Sequence, residues 1–65
     1  MSIKFPVKVQ MDGRMYTVEK IVYPKQVGEP WAVATYQRSI FGKTKVQSLS
    51  TQIRLARRVL EMMQN

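Results

Sequence analysis

Catalysis and metal binding need groups that move protons, attack, or hold cations, and this chain is short of them. It has no histidine and no cysteine, so the commonest general base near neutral pH and the thiolate nucleophile are both missing. Its four carboxylates are scattered, with Asp12 in a turn, Glu19 in a strand, Glu29 in a loop and Glu61 on a helix. No two are paired by sequence for acid–base work, and no set has metal-ligand spacing. "FGKT" (41–44) lacks the rest of a phosphate-loop frame. Ser39, Ser48 and Ser50 have no base beside them in sequence, and turns and caps account for them. The expectation is a protein that is not an enzyme, with no catalytic residue, metal or cofactor.

Positive charge is abundant instead. Eleven Lys and Arg stand against four Asp and Glu, a net +7 on 65 residues. Such an excess speaks about partners: nucleic acid, an anionic membrane, or an acidic protein face. The candidate nucleic-acid contacts are Lys4, Lys8, Trp31, Arg38, Lys43, Lys45, Arg54, Arg57 and Arg58. In "RLARR" (54–58) the arginine forks suit phosphate oxygens. A solvated helix face, with Arg57 pairing Glu61 at i,i+4, explains them equally. Trp31, the only tryptophan, begins "WAVATYQRSIFGKTK" (31–45). It is either a core aromatic or a base-stacking surface, and both stay open.

The elements that position these residues follow from periodicity. "IKFPVKVQ" (3–10) alternates apolar and polar, as a half-buried strand does, and Pro6 marks an edge position. Asp12-Gly13 signals a tight hairpin into a second strand, "MYTVEKIVY" (15–23). With a two-residue loop, Val9 faces Tyr16, Val7 faces Val18 and Ile3 faces Val22. Tyr16, Val18 and Val22 then join the core face, while Lys4, Lys8, Thr17, Glu19 and Ile21 point outward; Lys20 is a misfit in this register. "PKQVGEP" (24–30) is a loop. The third strand is "WAVATYQR" (31–38). It offers the outer face either Trp31, Val33 and Thr35 or Ala32, Ala34, Tyr36 and Arg38. The pair Ala32 and Ala34 would let a helix approach closely, sending Trp31 outward. "SIFG" bends the chain, and "KTKVQ" (43–47) is either a short fourth strand or the end of a long bent third.

The last segment (48–65) is a helix capped by Ser48 or Ser50. Leu49, Ile53, Ala56, Leu60 and Met63 form its core stripe. Leu55, Val59 and Met62 form a second stripe, which is either covered by a curled sheet or an interface for a partner or a second copy. The fold class expected is α+β: an antiparallel three- to four-stranded sheet with one C-terminal helix on one face (β-β-β-(β)-α). Residues 1–65 make one small basic domain, whose core must be thin.

The second half of the chain, through Trp31, "FGKTK" (41–45) and the helix after Ser50, resembles the N-terminal arm-binding domains of tyrosine recombinases. That resemblance implies a sheet laid against DNA. The Gly-Phe-x-Thr-x-x-Glu-Ala helix start typical of those domains is absent. Size, charge and the terminal helix are also similar to small archaeal chromatin proteins. No site residue is carried over from either family.

The first functional expectation is a small nucleic-acid-binding protein that contacts DNA or RNA phosphates through Lys and Arg. The alternative is a protein-interaction module, a small accessory or inhibitor protein such as a virus encodes. It would bind an acidic protein partner through its helix, or form a homodimer, and Leu55, Val59 and Met62 would be its contacts. A membrane partner is not expected, because the apolar helix stripe is needed by the sheet. "MSIKFPVKVQ" does not read as a signal peptide and no segment reaches transmembrane length, so the expected location is cytoplasmic.

Overall fold

The computed structural model describes residues 3–64. Four strands, β1 (Val7–Met11), β2 (Arg14–Val22), β3 (Trp31–Ser39) and β4 (Gly42–Lys45), precede one helix, α1 (Leu49–Gln64). The strands form a single antiparallel meander in the order β1-β2-β3-β4. α1 lies across one face, mainly against β3 and reaching β1. This is the expected α+β fold.

The first hairpin follows from local chemistry. Asp12 and Gly13 both take positive φ, 55° and 72°, the geometry of a two-residue turn whose twist suits a hairpin. Val9 therefore faces Tyr16 and Val7 faces Val18. β1 begins only at Val7, just after Pro6, which has no N–H to offer a ladder. The pairing of Ile3 with Val22 is not formed.

The second half of β2 departs from simple alternation. The register with β3 shifts between Val18 and Lys20, leaving Glu19 as the extra residue of a bulge. Glu19 and Lys20 are both exposed, and the parity of the strand flips after them. Ile21 pairs with Ala32 and packs on the core. Val22 pairs with Trp31 on the opposite face. The expected placements of Ile21 (outward) and Val22 (inward) are thus exchanged, and the Lys20 misfit disappears.

The core joins Val9, Met11, Tyr16, Val18, Ala32, Ala34 and Val46 to Leu55, Ala56 and Val59 of the helix. Ala32 and Ala34 are 0% and 2% exposed; their small side chains leave room for α1 to sit close over β3. Ser48 caps the helix, its Oγ accepting from the Thr51 N–H at 3.4 Å. The stretch 49–64 contains no glycine or proline to interrupt it.

The buried helix stripe is rotated from the expected one. Leu55 and Val59 are both 0% exposed, so they are core rather than a surface for a partner. Ile53 and Leu60 are only half-buried. Leu49, expected in the core, is 57% exposed, because the first turn starts just beyond the edge strand β4. Of the second stripe only Met62 remains exposed.

Candidate nucleic-acid interface

Strand parity decides what each sheet face presents. Ala32 and Ala34 lie under the helix, so Trp31, Val33 and Thr35 project from the opposite, uncovered face. Trp31 is therefore outward, half-buried against its neighbour Val22. The cross-strand pairs Lys8 with Thr17, Thr17 with Thr35, and Thr35 with Lys45 run as one row over all four strands. Lys43 stands beside it, paired with Gln37, and Lys20 is opposite Val33. This open face carries Lys8, Lys20, Lys43 and Lys45, and among the described residues its one carboxylate is Glu19 at the bulge. The hydroxyl row is small and flat, while lysines stand at both edge strands and Trp31 lies at the far end of β3. A flat polar floor with cationic rims and one aromatic plane suits phosphates along the edges and a base on the ring.

The nine residues expected to contact nucleic acid fall on separate surfaces. Lys8, Trp31, Lys43 and Lys45 share the open face. Lys4 is exposed in the segment before β1. Arg38 belongs to the helix side of β3, at the end of the sheet that bears both hairpin turns. Arg54, Arg57 and Arg58 are exposed on α1, across the sheet from the lysine row.

Two of these arginines already hold carboxylates. Arg54 binds Asp12 with two contacts, Nη2 donating to Oδ1 at 3.0 Å and Nη1 2.9 Å from Oδ2. Arg57 does not pair Glu61; it reaches the β2–β3 loop, where Nε donates to Glu29 Oε1 at 3.1 Å. The Arg54 hydrogen bond holds the Asp12 carboxyl below its ordinary range, outweighing the opposing desolvation, with the charges of Arg54 and Arg58 adding to it. Asp12 in turn raises the Arg54 guanidinium, again chiefly through that hydrogen bond. Both pairs are exposed, so each fastens the helix to a loop only weakly. Part of the positive charge of α1 is thereby cancelled, and the uncancelled charge is concentrated on the open face and at the hairpin end.

Four exposed residues were not singled out from the chain alone. Lys20 joins the face only through the bulge, whose signal was two adjacent polar residues, Glu19 and Lys20, breaking the alternation of β2. Arg14, directly after the Asp12-Gly13 turn, sits with its guanidinium carbon 4.4 Å above the Tyr36 ring. Ile40 and Phe41 form the tip of the β3–β4 hairpin and are 85% and 91% exposed. No group of three or more His, Cys, Asp or Glu gathers as a metal site among the described residues, and no helix there is long and apolar enough to cross a membrane. No protein-family model, curated protein or solved structure matches the chain.

Proposed function

We propose that this protein binds nucleic acid through the open face of its sheet, with lysines on phosphates and Trp31 against a base. One observation carries the reading: the face the helix leaves bare holds Lys8, Lys20, Lys43, Lys45 and Trp31 against, among the described residues, the one carboxylate Glu19. A face kept only for solubility would have mixed charges. The burial of Leu55 and Val59 leaves the alternative, an acidic protein partner captured by the helix, with only Met62 of its three expected contacts exposed.

The test is a titration of mixed-sequence single-stranded and duplex oligonucleotides, followed by Trp31 emission and by anisotropy of a labelled strand. With about four phosphates engaged on duplex, log K should fall against log salt with a slope of about −3 to −4. Trp31 emission should quench in parallel. Binding that ignores salt, or the absence of binding at low salt, overturns the proposal.

A further inference from the structure

A second feature lies on the other side of the sheet. At the end bearing the hairpin turns, a cleft of about 400 Å³ opens between the strands and the first turn of α1. Arg14 and Arg38 line it from the helix side of the sheet, Lys45 borders it from the edge strand while its side chain belongs to the open face, and no carboxylate lines it. None of the three has an ion-pair partner among the described residues. The Arg14 guanidinium is stacked on Tyr36 at 4.4 Å, which holds its plane and leaves its N–H edge free to donate.

Two further groups are turned to the same space. Tyr16 lines the cleft although it is only 5% exposed. It is held edge-on to Tyr36, with ring centroids 5.7 Å apart. Its hydroxyl has no hydrogen-bond partner among the described residues, and it is not sealed from the cleft. Ser48 and Thr51 bring in the start of α1, where the Thr51 N–H is taken by the Ser48 cap and the helix dipole favours an anion. Two forked cations, a tyrosine hydroxyl and a helix N-terminus thus line a space too small for a length of strand.

We infer that this cleft is a phosphate site, and that it takes the terminal phosphomonoester of a nucleic-acid strand. A monoester carries more charge than an internal diester and exposes three oxygens, which fits donors arriving from several sides. The inference rests on the nucleic-acid reading for the source of the phosphate, but the phosphate chemistry stands on the cleft alone.

The experiment compares single-stranded oligonucleotides that differ only in a 5′-phosphate or 5′-hydroxyl, with inorganic phosphate and a nucleoside 5′-monophosphate as separate ligands. Amide chemical shifts at Tyr16, Arg38 and Thr51 report the cleft; those at Thr17 and Thr35 report the open face. The phosphorylated strand should bind about tenfold more tightly, as a charge-assisted pair of hydrogen bonds supplies. R14Q and R38Q should each erase that preference and leave the hydroxyl-ended strand unaffected. Both residues are exposed, and R38Q spares the Tyr36 stack, so loss of folding in R14Q does not obscure the result. Cleft shifts with phosphate or the monophosphate but with neither oligonucleotide would keep the phosphate site and overturn its nucleic-acid source. Equal affinity for the two strands, with no cleft shifts from any phosphate, overturns the inference while leaving the open face standing or falling on its own titration.

Discussion

Asp12 serves two physical ends at once. It occupies a left-handed turn position, φ 55°, and its carboxylate holds Arg54 of the helix. D12N separates them, because asparagine tolerates the same backbone geometry but loses the charge. The folded carboxyl lies below its ordinary range. Its contribution is therefore complete above the unfolded value, near 3.9, and is lost as pH falls through the folded value. D12N should melt slightly below the parent at pH 7, and the gap should close in acid and shrink in high salt. A gap independent of pH would assign the effect to the turn instead. Glu19 poses the opposite case, a lone carboxylate among lysines on the open face. Under the proposed function, E19Q should tighten oligonucleotide binding about two- to fivefold at low salt. An unchanged affinity, measured by anisotropy, would place the strand elsewhere.

The elements differ in how far their own residues dictate them. The first hairpin was legible because Asp12-Gly13 specifies a turn within two residues, and the turn then dictates the pairing of Val9 with Tyr16. The face of Trp31 was not, since β3 is apolar at both parities; only the helix resting on Ala32 and Ala34 selects one. The helix face was blurred for a similar reason. Leu49, Ile53, Leu55, Ala56, Val59, Leu60, Met62 and Met63 cover so wide an arc that the sheet decides which part of it is central. Leu55 is the sharp test of that centre. Truncating a fully buried leucine costs about 2–5 kcal/mol, against a total of roughly 3–10 kcal/mol for a chain of this size. L55A should lower the urea midpoint drastically or unfold the domain, whereas an interface leucine would leave the monomer intact. The β3–β4 tip is the converse. Ile40 and Phe41 touch little, and Ser39 shapes the turn by accepting the Phe41 N–H on its Oγ at 3.2 Å. I40S/F41S should change stability by no more than about 0.5 kcal/mol, read from the same urea curves; a larger loss would show that the tip packs after all.

At the scale of the whole molecule, charge and core work against each other. Among the described residues the core is ten side chains, of which Leu55, Val18 and Val59 are the largest fully buried, with no disulfide to support them. The surface carries +7, and the lysines of the open face share one small sheet surface, so they repel in the folded state more than in an expanded chain. An anion that threads between them relieves that repulsion and binds only the folded form. Ligand at about a hundredfold its Kd adds about 2.7 kcal/mol by mass action. In a domain of this size each kcal/mol moves Tm by about 4–8 °C. A saturating oligonucleotide should therefore raise the melting temperature by about 10 °C or more, and 0.5 M salt should remove most of that gain by weakening the binding. Salt alone should raise Tm modestly by screening the lysines. The two slopes have opposite sign, and that separates a bound ligand from simple screening. If oligonucleotide and salt shift Tm alike, the open face is only a crowded surface that any counterion relaxes.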